Sequence, residues 1–146
     1  MVRRLSFMLV TVLLAAAADA RDDPARADRD GLQGTWSVES AERRGEVLPR
    51  ERAERIKLIV TADKITIQDG DTGRNEEALF QLDPTKQPKA IDLTPGGESA
   101  KVEGIYQLAG DTLKLCWSKP GGARPGDFTT SRNDNRVLFV LKRAKP

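Results

Sequence analysis

Past Leu32 the chain alternates apolar and polar residues with a period of two. That spacing sends one set of side chains into a dry core and the next into water, the mark of β-strands rather than helices. Trp36 and Val38 form the first row, flanked by Thr35 and Ser37. Ile56, Leu58 and Val60 form the second, and Ile65 and Ile67 the third. Ala78, Phe80 and Leu82 follow, then Ile91 and Leu93, then Tyr106 and Leu108. Leu113, Leu115 and Trp117 precede a last row of Val137, Phe139 and Leu141. The pattern predicts about eight short strands.

The intervening segments carry turn chemistry. Ala62-Asp63 and Gly110-Asp111 separate adjacent rows by the two residues of a tight hairpin. Asp69 to Gly73 predicts a longer turn. Asp83 to Lys89 holds two prolines and must leave the ladder, with Asp83 placed to cap nearby backbone N–H groups. Pro95-Gly96-Gly97 reads as a loop tip, and Ser118 to Asn135 is the longest irregular stretch. Pro49 to Arg55 predicts one or two turns of helix, with a proline at the start and Arg50–Glu54 and Glu51–Arg55 one turn apart. Strands in hairpin order must deal with their edges, and closure does so. The expected fold is all-β: a small up-and-down antiparallel β-barrel of about eight strands, with one short helix after the first strand. Alternation alone does not separate this barrel from a two-sheet sandwich.

The first residues have a different character. Arg3 and Arg4 precede an apolar run from Leu5 to Ala18, and Ala18-Asp19-Ala20 supplies small residues where a signal peptidase reads. Residues 1–20 are therefore expected to be a signal peptide and the protein to be exported, periplasmic or extracellular, with no membrane span after cleavage. Residues 21–31 alternate charges around one proline and are expected to form a flexible tether. Residues 32–146 are the barrel domain.

Composition narrows the chemistry. There are 24 Lys+Arg against 22 Asp+Glu, a net charge of +2, no His and one Cys. The charge balance gives no basic field or stripe of the kind that holds nucleic acid. Without His there is no imidazole for acid–base work and no common zinc site, so neither a metal nor another cofactor is expected. A lone Cys forms no internal disulfide. Asp83, Asp92, Glu103 and Asp111 are the available carboxylates, but no spacing singles out a pair for acid–base chemistry. No catalytic residue is assigned, and the expected protein is not an enzyme.

A resemblance adds to these readings. Leu32-Gln33-Gly34-Thr35-Trp36 is similar to the Gly-x-Trp opening of the calycin barrels, the lipocalins, fatty-acid-binding proteins and avidins. In those families the Trp closes one end of the barrel and a basic residue of the last strand packs on its ring. The resemblance implies that Gly34, Trp36 and Arg143, or Lys142 in its place, form such a closure here. A longer match runs through LQGTW, LDPTKQPKAIDL, GIYQLAGDTLKLCW, RPGDF and VLFVLKR, in that order. These blocks resemble a family of exported planctomycete domains of unknown function, described as lipocalin-like. That likeness implies a small barrel at the cell envelope and no particular catalytic residues.

The expected inward set contains Trp36, Leu58, Phe80 and Tyr106, with Leu115, Trp117 and Phe139. Such bulky residues either line a pocket for a small apolar ligand or fill the interior, and short strands favour filling. Lys86 and Lys89 are candidates for an anion site at a barrel rim, and Asp92 is expected to face outward, paired with Lys89 or Lys101. Arg124 is a candidate to pin the long loop as a lid, with Phe128 plugging the mouth. Cys116 is out of phase with its inward neighbours and is expected outside the barrel or beneath a loop. Two functions follow: binding of a small apolar ligand in the barrel, or a non-catalytic module with a filled barrel that meets an envelope protein. Sequence does not fix the oligomeric state.

Overall fold

The structure, a computed structural model, describes residues 23–96 and 100–145. The expected signal peptide and Gly97 of the loop tip lie outside the described residues. Among the described residues two helices and nine strands follow in order. They are α1 (Pro24–Leu32), β1 (Gly34–Arg43), β2 (Glu46–Val47), α2 (Arg50–Ala53), β3 (Ile56–Thr61) and β4 (Lys64–Asp69). Then come β5 (Asn75–Asp83), β6 (Ala90–Pro95), β7 (Val102–Ala109), β8 (Thr112–Trp117) and β9 (Val137–Arg143).

Every strand pairs antiparallel with its neighbour, in the order β2-β1-β3-β4-β5-β6-β7-β8-β9. Pairing of β1 with β9 along Trp36 to Arg43 closes the cylinder. This decides for a barrel against a sandwich. Eight strands form the wall. β2 is an addition, a two-residue ladder that takes up the side of β1 which β3 has left. The hairpins at Ala62-Asp63 and Gly110-Asp111 are as tight as expected, with Thr61 opposite Lys64 and Ala109 opposite Thr112.

Period two places the core. Leu58 pairs with Trp36 on one side and Ile67 on the other. Phe80 lies opposite Leu93, and Leu115 opposite both Tyr106 and Phe139. All seven residues of the expected inward set lie on the inner face. A bulge between Val38 and Ser40 advances the phase of β1 by one residue, so Ala41 is also buried on the inside. Gly104 lies opposite Trp117, where a Cβ would come within 3.0 Å of the Trp117 Cβ and 2.8 Å of the Cys116 carbonyl. Only a glycine fits this close to the neighbouring strand.

The N-terminal tether is corrected from Pro24 onward. Residues 24–32 form α1, capped by Asp23, whose Oδ1 accepts the Ala25 N–H at 3.0 Å. Pro24 opens the helix, where a missing N–H costs nothing. Tertiary contacts hold it in place. Leu32 is buried, and the Asp28 carboxylate accepts the Tyr106 hydroxyl at 2.6 Å and the Lys89 ammonium at 2.9 Å. The short helix expected after the first strand is α2, which follows the β1–β2 hairpin. Its Arg50–Glu54 pair forms at 2.8 Å, whereas Arg55 bonds Asp71 in the β4–β5 turn at 2.5 Å instead of Glu51.

Candidate functional site

The two ends of the barrel are built differently. At one end the hairpins are tight, β1 begins, β9 finishes and α1 lies across the opening. Trp36 is fully buried there, and its indole N–H donates to the Leu32 carbonyl at 2.8 Å. Arg143 lies opposite Trp36 in the ladder, with its guanidinium 4.3 Å from the ring centroid. It also donates to the carbonyls of Gly31 at 2.7 Å and Gln33 at 2.9 Å, and to Asp111 at 3.2 Å. Arg143, not Lys142, is thus the cation on the indole; Lys142 faces outward and meets Glu39 at 3.1 Å. Gly34 has φ +115, a backbone that L side chains avoid, and the Arg143 guanidinium passes 3.6 Å from where its Cβ would stand. Above this floor Val38, Tyr106, Leu113 and Leu141 fill the barrel.

The opposite end is open. A concave space of about 1670 Å³ starts at the level of Leu58, Ile65, Ile91, Leu115 and Phe139 and widens to the solvent. The figure exceeds the usual few hundred to a thousand Å³ of ligand pockets because it includes the vestibule between the loops. The upper wall is made by Ile56, Ile67, Leu93, Val137 and Trp117, all of them only partly covered. Trp117 meets Phe139 edge to face, with centroids 4.8 Å apart.

The expectation of a filled interior therefore holds for half of the barrel. Of the seven inward residues, Leu58, Leu115, Trp117 and Phe139 line the cup. Trp36, Phe80 and Tyr106 belong to the packed half. Charged residues ring the mouth. Arg43 and Arg44 come from the β1–β2 hairpin, Arg74 from the β4–β5 turn, and Lys119 and Arg132 from the long loop. Glu42, Glu46, Asp69, Glu76 and Glu77 stand among them.

Other candidates lie elsewhere. Lys86 and Lys89 sit in the β5–β6 connection at the closed end, away from the mouth, and Lys89 is engaged by Asp28. They form no rim site. Asp83 caps its turn, accepting the Thr85 N–H at 3.1 Å and hydroxyl at 2.5 Å, which hold its carboxyl below the ordinary range. Asp92 does face outward, but its partners are Arg124 at 2.6 Å and Lys101 at 3.6 Å, not Lys89.

Arg124 does pin the long loop, donating to the carbonyls of Ile91 at 3.1 Å and Gly104 at 2.7 Å as well as to Asp92. The attachment is to the outer wall, so this part of the loop is a clasp and not a lid. Phe128 is half-buried and is not among the residues lining the cup. Beneath the clasp Ile105, Cys116 and Pro125 are fully buried outside the barrel. Burial pushes the Cys116 thiol up to about 11, and its Sγ lies 3.9 Å from the Thr129 carbonyl. Such a thiol is packed, not poised for reaction.

Sequence reasoning missed α1 and the rim. The rim cations lie outside the alternating rows, and only the folded chain brings its three segments to one mouth. Comparison with family models, with curated proteins and with solved structures finds no match to this chain.

Proposed function

We propose that the chain is an exported, lipocalin-like binding domain whose open-end cup takes a small apolar ligand or the apolar part of a larger one. The observation that carries this reading is the incomplete burial of Ile56, Ile67, Leu93, Trp117 and Val137 on a concave, inward surface. A soluble domain rarely leaves a contiguous apolar concavity facing water without an occupant. The resemblance to exported lipocalin-like domains supports both the cup and the address. The alternative, an envelope interaction module with a solid barrel, has less support, because only the closed half is packed.

The probe for the test is N-phenylnaphthylamine, an uncharged apolar dye. Trp117 borders the cup, whereas Trp36 is sealed in the floor. Binding is expected to give a saturable rise in dye emission with loss of Trp117 emission. Leu93→Trp fills part of the cup and is expected to weaken binding by roughly tenfold while the melting temperature stays the same or rises. Absence of any saturable dye signal with the wild-type chain overturns the proposal.

A further inference from the structure

The clasp and the cup share one wall. Ile91 and Gly104 stand directly opposite each other on β6 and β7, and Gly104 in turn faces Trp117 on β8. On the outer side the Arg124 Nη1 donates to both carbonyls of that pair, to Ile91 at 3.1 Å and to Gly104 at 2.7 Å, and so staples β6 to β7. A carbonyl oxygen has two lone pairs, so the staple adds to the ladder rather than replacing part of it. Asp92 at 2.6 Å and Glu103 at 3.5 Å hold the guanidinium over this spot, and Lys101 lies 3.6 Å from Asp92. The seam needs the support. Among the described residues β6 and β7 share four ladder pairs, whereas β5–β6 and β7–β8 on either side share six each. On the inner side of the same pair the cup wall converges: a Cβ on Gly104 would stand 3.3 Å from the Ile91 Cγ2 and 3.0 Å from the Trp117 Cβ. Ile91, Leu115 and Trp117 line the cup. Cys116, between the last two, is fully buried with Ile105 and Pro125 beneath the clasp. The thickness of one strand separates the two apolar surfaces.

We infer that Arg124 is a positioning residue for the cup: it holds Ile91 and Trp117 in place from outside the barrel, so that clasp closure and ligand binding favour each other. The inference rests on the proposed binding function and adds its regulation, since any event that lifts the clasp also weakens the hold of the cup. The clasp has two arrangements, closed and released, and the Arg124 staple and the ligand bias the same one. The planar guanidinium fork reaches two carbonyls and a carboxylate together, which a lysine ammonium serves less well. Released, the clasp uncovers Cys116, and β6 and β7 are left to their short ladder. The side chains that meet over Gly104 then lose their fixed spacing, and with it part of the apolar surface they offer to a ligand.

The test reads both directions of the coupling in the full chain. Arg124→Ala is expected to weaken N-phenylnaphthylamine binding by roughly fivefold and to reduce the near-ultraviolet circular dichroism of the Trp117–Phe139 pair. Arg124→Lys is expected to fall between it and the wild type. Arg143→Lys, which loosens the floor, is the control: its melting temperature falls while its dye affinity stays the same. In the reverse direction, saturating dye is expected to slow the labelling of wild-type Cys116 by dithionitrobenzoate by the same factor, because coupling between two sites is reciprocal. Labelling is read at low urea, where a rate independent of urea marks local release of the clasp and not global unfolding. Unchanged dye affinity in Arg124→Ala overturns the inference and leaves apolar binding standing, as does labelling that dye does not slow. Labelling that proceeds only through global unfolding overturns it as well. An equal loss of affinity in Arg143→Lys overturns it too, since the effect is then general loosening. If Arg124→Ala shows no cooperative melting, Arg124→Lys and the wild-type labelling decide in its place. Absence of dye binding to the wild-type chain overturns the underlying function and the inference with it.

Discussion

The guanidinium of Arg143 stacks on one side chain, donates to two backbone carbonyls of the α1–β1 junction and reaches Asp111 in the β7–β8 turn. A cation over an indole contributes on the order of 1 kcal/mol, and charge-assisted hydrogen bonds about 1.5–3 kcal/mol each. Arg143→Ala is expected to cost about 3 kcal/mol in urea unfolding. Arg143→Lys is expected to recover less than half of that, since an ammonium cannot stack flat and serve two carbonyls together. Equal stability of Lys and Ala variants with the wild type contradicts this assignment. A cation on Trp36 was legible only through the resemblance of its Gly-x-Trp to other barrels, which left Arg143 and Lys142 as alternatives until the ladder placed Arg143 opposite the indole. Gln33 was not legible. Its amide donates to the Ala62 carbonyl at 2.9 Å and accepts the Ala62 N–H at 2.7 Å, holding an alanine at φ +55. Nothing local marks a glutamine for a turn 29 residues away.

Among the elements, α1 departs furthest from its sequence. PARADRDGL offers one large apolar residue and a glycine, too little to form an isolated helix. Its stability comes from contacts that pattern reading does not supply: Leu32 in the barrel floor and Asp28 between Tyr106 and Lys89. Burial and the Asp28 carboxylate together push the Tyr106 phenol up, so it remains a hydrogen-bond donor throughout the physiological range. A double-mutant cycle of Asp28→Ala with Tyr106→Phe is expected to give a coupling energy of about 1 kcal/mol. Additive effects mean that the Tyr106 hydroxyl contributes nothing to holding the helix. The strands, by contrast, were legible because each turns one face to water. The phase slip in β1 hid Ala41, since a bulge is a feature of pairing rather than of composition.

At the scale of the molecule the barrel is stabilised unevenly. The closed half contains Trp36, Val38, Leu113 and Leu141, each at most 1% exposed. The open half presents side chains that lack neighbours on one side. Amide hydrogen exchange is expected to be slowest at Trp36, Leu113 and Leu141 and faster by about a hundredfold or more at Ile67, Leu93 and Val137. Addition of a cup ligand is expected to slow the second group most; uniform protection along each strand contradicts the division. The architecture could be read from hairpin order, whereas the half-filled interior could not. Bulky inward residues fill or line a barrel depending on its closure and on where the loops stand. Likewise, the clasp from Ser118 to Arg136 showed its anchoring arginine in sequence but not which wall it grips.

Closure by the first and last strands of the wall also fixes how the domain hangs. β1 begins and β9 finishes at the sealed side, where α1 also lies. A linker attached before Asp23 or after Lys145 therefore leaves from the base of the cylinder. Whatever such a linker is fastened to, the cup points away from the point of attachment, as the bowl of a goblet does from its stem. Fusion directly before Asp23 or after Lys145 attaches at the base, while an insertion in the β1–β2 hairpin or the β4–β5 turn stands directly in the entrance.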